Sequence, residues 1–399
     1  MKEFDVIIIG GGIIGLATAH KLLEHKNNLK LCILEKESRI AQHQTGNNSG
    51  VIHSGIYYKP GSMKALNCIK GYKLLLDFCA KEEIHYELCG KVIVACNETE
   101  VHRLDKLYER GLENGLGKLK LIDRNELREI EPYAEGIKAI HVPYAGIIDF
   151  EIVSDKLAEK IQNKGGKIFL NEKVLKVLTG SYNEVETIRN IYKTKVIINC
   201  GGLYSDVLTQ LTYRNRMPFR IIPFKGEYYK LKKDRCNIVN SLIYPVPDPA
   251  FPFLGVHFTK KINGEVEAGP NAVLSFKKEG YKKNDFDIED TFNIFTWQGF
   301  YKIAAEYWKT GYDEFYRSYS KKAFVNALNK LVPNIKVNDL AEGGIGVRAQ
   351  ACSRDGKLID DFLILNGNNI INVCNAPSPA ATSSLAIGVH ITGIASELI

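Results

Sequence analysis

The chain has 399 residues, 45% hydrophobic and 25% charged, the balance of a soluble globular protein large enough for two domains and for burying ligands between them. Its 53 basic and 46 acidic residues leave a net charge of +7 with no Lys/Arg block of the kind that grips nucleic acid. The mild excess suits a basic pocket for an acidic substrate, or weak attraction to an anionic membrane surface.

The strand pattern begins at Phe4, which leaves no room for a signal or transit peptide. No apolar run is long enough for a transmembrane helix. Nine cysteines with no C-x-x-C pair give no zinc or thioredoxin-like site, and read as reduced thiols of a cytoplasmic protein. No metal site is expected.

Phe4 to Gly10 (FDVIIIG) is a continuous apolar run ending in glycine, the pattern of a strand buried on both faces. Gly10, Gly12 and Gly15 then form G-x-G-x-x-G, and Ile13 to His25 continue with helical spacing at Ile14, Ala17 and Leu22. Asn27-Asn28 turns the chain into a second strand, Leu29 to Leu34, closed by Glu35. Each part has a task. Gly10 permits the tight turn, Gly12 lets the backbone approach a pyrophosphate, and Gly15 lets helix and strand pack closely. The helix N-terminus offers free N–H groups to the anion. Glu35 stands 20 residues after Gly15, where a carboxylate bonds ribose hydroxyls. The unit predicts a dinucleotide site that includes Ile14 and Lys36, and leaves NAD and FAD both open.

The next stretch, Gln44 to Gly55 (QTGNNSGVIHSG), is small, polar and glycine-rich. A nicotinamide domain usually continues with another βα repeat, whereas this loop suits a larger ring system. FAD is therefore expected, with Thr45, Asn48, Ser49, Gly50 and Val51 against it. Lys195 to Cys200 and Ile370 to Cys374 read as returns to the same sheet, the first ending at Gly201. Asn375 to Pro379 lead into an Ala/Ser-rich helix from about Ala380, whose N-terminus suits negative charge on a reduced flavin. Ser378, Thr382 and Ser383 are its expected contacts, and Val174 completes the cofactor set.

The organisation is discontinuous: residues 1–88, 146–222 and 335–399 are assigned to the nucleotide-binding domain, and 89–145 and 223–334 to a substrate domain.

Four stretches carry a family resemblance: HQTGNNSGVIHSGIYYKPGSMKA at His43–Ala65, FKGEYYKL at Phe224–Leu231, the long segment Tyr244–Tyr281, and NAPSPAATSSLAIG at Asn375–Gly388, preceded by GVRAQ at Gly346–Gln350. On these the chain resembles the L-2-hydroxyglutarate oxidase/dehydrogenase family of the D-amino-acid-oxidase-like flavoproteins. The resemblance covers nearly the whole chain. It implies an α/β fold, with an FAD-binding Rossmann-like domain and a discontinuous α+β substrate domain. It also implies oxidation of L-2-hydroxyglutarate, a small dicarboxylate, to 2-oxoglutarate, with electrons passed to oxygen or a membrane quinone. An amine or amino-acid oxidase of the same superfamily and a non-catalytic flavin-binding protein are the alternatives.

Oxidising a 2-hydroxy acid needs a base for the hydroxyl proton, a clamp for the α-carboxylate and a polar site for the distal carboxylate. His53, among glycines in the flavin loop, is the first candidate base, since an imidazole is near neutrality at working pH. His257 is the second; strand alternation sets Val256 and Phe258 on the opposite face. Arg348 is the expected clamp, because a guanidinium grips a carboxylate with two parallel hydrogen bonds. Tyr57, Tyr58, Lys59 and Lys225 are candidates for the distal carboxylate. Asp285 to Leu331 is aromatic-rich and reads as mainly helical, packing a core or forming an interfacial surface. The second reading would place the protein on the inner face of the membrane as a peripheral contact.

Overall fold

A computed structural model of the chain describes residues 2–213, 215–249 and 253–399. The first apolar run becomes the strand Lys2–Ile9, with Val6, Ile7 and Ile8 fully buried. Parallel neighbours flank it: Leu31–Leu34 on one side and Ile191–Asn199 on the other. The strand predicted from Lys195 is the second half of that longer strand. Ile370–Asn375 pairs parallel to it, Ile197 opposite Ile370. These belong to an eight-stranded sheet. The predicted βαβ unit is present, with its helix at Ile13–His25.

Glycines decide how the helices of this layer approach. The C-terminal helix Ala380–Ser396 lies across Ile13–His25 and Met63–Lys81. A Cβ on Gly388 would lie 2.7 Å from the Ala17 carbonyl oxygen, and one on Gly71 would lie 2.5 Å from Ser383 Cα. Neither position has room for a methyl group.

The second sheet has nine strands. Lys91–Ala95 pairs in parallel with Leu242–Pro245, which pairs antiparallel with His257–Lys260, and that with Val266–Gly269. Alternation sorts their side chains. Val92, Val94, Ile243, Phe258 and Ala268 fill a core closed by Phe324 and Leu328. Lys91, Tyr244, His257, Thr259 and Glu267 consequently point to the opposite face, towards the nucleotide domain. The expected separation of His257 from Phe258 follows this register. The long strand Phe219–Leu231 continues the sheet, and Leu340–Ser353 runs antiparallel along it, from Phe219 opposite Ser353 to Leu231 opposite Leu340.

That last pairing departs from the expected partition, in which everything after 335 joins the nucleotide domain. Leu340–Ser353 is a strand of the second sheet, and the chain returns to the first only at Leu363–Gly367. Gly343, Gly344 and Gly346 hide the strand pattern in the sequence. Gly343 is needed for the approach, since a Cβ there would sit 2.5 Å from the Tyr228 carbonyl oxygen.

The aromatic segment forms the helices Ile288–Phe295, Gln298–Tyr319 and Lys321–Leu328. Trp297 and Ile303 are buried, whereas Ile288, Phe292, Trp308 and Tyr312 are more than half exposed. Among the described residues no helix is long and apolar enough to cross a membrane. All nine cysteines are free.

Two glycines of the C-terminal helix should respond to alanine with opposite sign. Gly388→Ala forces a methyl into the Ala17 backbone and should lower stability by about 1–3 kcal/mol. Gly393→Ala, with nothing within 4 Å, should raise it by roughly 0.5–1 kcal/mol. Urea unfolding of the two flavin-loaded variants checks both; equal effects would contradict the packing described.

Candidate active site

The nucleotide end is built on backbone hydrogen bonds. Gly10 takes φ +113° to make the turn. Glu35 Oε2 accepts from Gly11 N at 2.6 Å and Oε1 from Glu37 N at 2.9 Å, so the carboxylate is held against the glycine turn. Thr45 Oγ1 accepts from Ile13 N at 3.1 Å and caps the first turn of the helix. Ile14 follows it there, half-buried. At Gly12 a Cβ would meet only Thr45 Oγ1, at 3.4 Å, which leaves open space in front of the helix N-terminus. Val174 packs among Ile7, Cys32 and Leu34, two residues beyond Glu172, whose N–H donates to the Glu35 carbonyl at 2.8 Å. Gly201 N donates to Asn199 Oδ1 at 3.0 Å beside the turn.

The polar loop after Glu35 is largely self-bonded. Asn47 Nδ2 donates to the Gln42 and His43 carbonyls, and Asn48 Oδ1 accepts from Gly50 N at 2.7 Å. The Asn48 carbonyl in turn receives Lys261 Nζ at 3.1 Å from the second sheet. Ser49 is half-buried between them, and Gly50 takes φ +69° into the short strand Val51–Ile52. Thr382 Oγ1 then bridges, accepting from His53 N at 3.1 Å and donating to the Val51 carbonyl at 3.4 Å. Ser383 Oγ is buried with no hydrogen-bond partner, and the Ser378 hydroxyl meets the phenol of Tyr58. An open glycine turn, a carboxylate at the end of the second strand, a glycine-rich loop and a helix N-terminus carrying a free hydroxyl together fit FAD.

Across from this lies the polar face of the second sheet. The His257 ring stacks on Tyr244 at 3.9 Å, tilted by 31°. His257 Nδ1 lies 2.8 Å from the Gly255 carbonyl oxygen and must be the donor, which leaves Nε2 as a lone-pair acceptor. Burial pushes His257 down to about 3, against the pull of the Gly255 bond and with help from Lys91 and Arg348. His53 is pushed down to about 3 by burial and by the charges of Lys91, His257 and Lys64. Its ring makes no hydrogen bond among the described residues, so neither nitrogen is committed to a partner there. Arg348, which sits over the Phe253 ring at 5.1 Å, keeps a buried Nη1 with no partner. The Tyr57 hydroxyl is likewise buried and unpaired.

His53, His257, Arg348, Tyr57 and Tyr58 therefore converge. Three predicted lysines do not. Lys59 is exposed on a surface turn. Lys225 is buried but donates to the Lys282 and Lys283 carbonyls at 2.9 Å each. Lys36 is engaged by Glu37 and by Glu279, 2.7 Å away, with His43 beside it, so its ammonium belongs to an ion-pair cluster. Sequence reasoning also missed Lys91 and Tyr244, and Tyr228, a buried phenol near Arg348. Lys91 opens the run KVIVA, and a lysine at the mouth of a buried strand usually reaches solvent.

Comparison with known proteins agrees with this geometry. The FAD-dependent oxidoreductase family model named for D-amino-acid oxidase matches residues 5–394. The L-2-hydroxyglutarate dehydrogenase of Indibacter alkaliphilus is 56% identical, over 97% of both chains. The chain belongs to the L-2-hydroxyglutarate dehydrogenase family of FAD-dependent oxidoreductases. The human mitochondrial member of that family is 43% identical over 97% of this chain and 87% of its own. The L-α-glycerophosphate oxidase of Mycoplasma pneumoniae, solved with FAD bound, superposes with a TM-score of 0.80 at 25% identity, covering 100% of this chain and 95% of that one. The fold is that of the D-amino-acid-oxidase-like flavoenzymes, and FAD is the cofactor of this family member.

Two outcomes follow for the dehydrogenase-family site. Gly12→Ala adds a methyl where the protein itself has room, so the variant should fold with unchanged circular dichroism yet bind FAD roughly tenfold or more weakly. Unaltered flavin content after dialysis would place the pyrophosphate elsewhere. The histidines carry a pH signature. An unfolded imidazole gains a proton below about pH 6.5, whereas the folded ones resist until about 3, so unfolding takes up protons in between. Stability contributed by the neutral rings is complete above about pH 6.5 and is lost as pH falls. His257→Asn, which keeps a donor for Gly255, should flatten the slope of unfolding free energy between about pH 6.5 and about pH 4.5 by close to one proton. Parallel slopes in urea melts would mean that His257 is already charged.

Proposed function

We propose that this protein oxidises L-2-hydroxyglutarate to 2-oxoglutarate, the reaction for which its curated relatives are named. The observation that carries the reading is a pair of buried, uncharged histidines, one on the flavin-side loop and one on the second sheet, with an arginine that has an unused donor near the second. FAD, when bound, supplies the acceptor for the hydride leaving the substrate Cα. The protein supplies the rest. His53, neutral and with a free ring nitrogen, takes the hydroxyl proton as the C–H bond breaks. Arg348 receives the α-carboxylate through Nη1, which has no partner among the described residues. His257, fixed as the Nε2 acceptor by Gly255, orients the hydroxyl from the other side. Tyr57 and Tyr58 wall the cleft.

The electrons then pass to oxygen or to a quinone. The exposed Phe286, Ile288, Phe292 and Trp308 support the second acceptor, since exposed apolar side chains suit a membrane interface, although only Trp308 has a lysine, Lys309, beside it and the others alternate with Asp287, Glu289 and Asp290. This is the same surface that sequence analysis offers for contact with the inner face of a membrane.

Without oxygen, L-2-hydroxyglutarate should bleach the flavin of the purified protein, while glycine, sarcosine and D-alanine should not. Bleaching by an amine instead would reassign the protein to the amino-acid oxidases, and no bleaching by any substrate would mark a non-catalytic flavoprotein. His53→Ala should retain FAD and slow the bleaching by about 10²–10⁴-fold. Arg348→Lys should chiefly raise the substrate concentration required, by roughly tenfold or more, for want of one charge-assisted hydrogen bond. An unchanged requirement would remove Arg348 from the clamp.

A further inference from the structure

Lys91 is the first residue of the strand Lys91–Ala95, entered through Gly90 at φ +79°. Val92 and Val94 turn into the core, so Lys91 turns towards the cleft, and only 1% of its surface is exposed. Its ammonium lies 3.9 Å from the Tyr244 ring centroid and 5.3 Å from that of Tyr57. No carboxylate pairs with it among the described residues. Three other buried lysines are all supplied: Lys278 with Asp206, Lys64 with Asp360, and Lys225 with two carbonyls. Among the described residues Lys91 alone of these lysines has no oxygen partner, only the two ring faces and the nearby Cys68 and Cys89 thiols. A buried ammonium without a counterion is strongly unfavourable, and two tyrosine rings offset only part of that.

The neighbourhood indicates what would complete it. The Tyr244 ring lies against both Lys91 and His257, and Lys91 and Arg348, two cations without a carboxylate partner among the described residues, both disfavour a proton on His257, Lys91 doing the same at His53. The unpaired Tyr57 hydroxyl belongs to the ring beside Lys91. Burial depresses Lys91 to about 7, so a bound anion is needed to hold the ammonium fully charged near neutrality. A ligand with one carboxylate would leave one of the two cations bare. A ligand with a carboxylate at each end would satisfy both and hold the atoms between them against His53 and His257.

We propose that Lys91 binds the distal carboxylate of the substrate and so selects dicarboxylic over monocarboxylic 2-hydroxy acids, a role that rests on the oxidation proposed above. Lys225 and Lys59, the lysines first suggested for that task by the sequence, are turned elsewhere.

The test uses the FAD-loaded enzyme and Lys91→Met, which keeps the length of the stem without the charge. Binding is read from the change in the flavin visible spectrum on titration with 2-oxoglutarate and with the monocarboxylate 2-oxobutyrate. Turnover is compared for L-2-hydroxyglutarate and its distal amide. Wild type should favour the dicarboxylate strongly. Lys91→Met should weaken 2-oxoglutarate by roughly 10–100-fold while leaving 2-oxobutyrate within about threefold. The penalty should fall on KM, with the maximal rate of flavin reduction within about tenfold, because the proton acceptor is untouched. Loss of the same factor for both ligands, or for neither, would overturn the role. Lys91→Gln provides the same ratio if the methionine variant loses flavin. Failure of every 2-hydroxy acid to bleach the wild-type flavin would instead sink the proposed reaction, an outcome the binding ratio distinguishes.

Discussion

The hydroxyl of Thr382 sits between the backbone of Val51 and that of His53, and through it the C-terminal helix and the loop after the second strand share one frame. Thr382 is fully buried, on a helix pressed against two others at Gly388 and Gly71. The two glycines bring the helices so close that neither position has room for a methyl group. The ring of His53 therefore inherits its position from close helix packing, although it lies in an irregular loop. Proton transfer demands this, because the acceptor must stand within hydrogen-bond reach of a hydroxyl whose own position is set by groups on another sheet.

Those groups come from a face that the strand register makes polar. Lys91 and Thr259 both stand opposite Leu242, and Tyr244 and His257 lie two residues along from Leu242 and Thr259, so all four share one face. Burial then acts differently on each. It keeps the histidines neutral in the empty cleft, with their lone pairs uncovered. It leaves Arg348 and Lys91 with donors that the protein does not fill. A site of neutral bases and unpaired cations costs stability when empty and favours an anionic ligand.

The parts of this arrangement that sequence makes visible are those with a local period or a fixed spacing. The run Phe4–Ile9, the glycines at 10, 12 and 15, and Glu35 announce themselves, because one turn, one helix and one strand end need those residues at those distances. The Asn/Ser/His loop is legible as chemistry out of place in a regular repeat. The lysines are not legible. Lys36, Lys225 and Lys91 look alike in sequence, yet one joins an ion-pair cluster, one ties down carbonyls and one faces the cleft. Which of these a lysine does depends on partners such as Glu279 or Lys282 that lie far along the chain. The strand Leu340–Ser353 was hidden for a different reason: its three glycines erase the alternation that would mark it, while permitting the close approach to Tyr228 that makes it a strand.

The seam between the two sheets shows the complementary rule for buried charge. Lys278 meets Asp206 and Lys36 meets Glu279, each pair joining the 276–290 stretch to the nucleotide side. Lys261 reaches the Asn48 carbonyl while keeping Glu267 within 3.6 Å. Around His43, burial lowers the affinity for a proton, but the Glu279 and Glu37 carboxylates outweigh it and hold the imidazole above its ordinary value. The same residue type is thus driven in opposite directions by one protein: upward at the seam, where carboxylates outweigh burial, and downward in the cleft, where burial acts with no carboxylate to oppose it and nearby cations add to it. Charges at the seam must persist through every turnover, so each is given its counterion within the fold. Charges in the cleft have to be matched only while a substrate is present, and leaving them unmatched is what makes the dicarboxylate the missing piece of the structure.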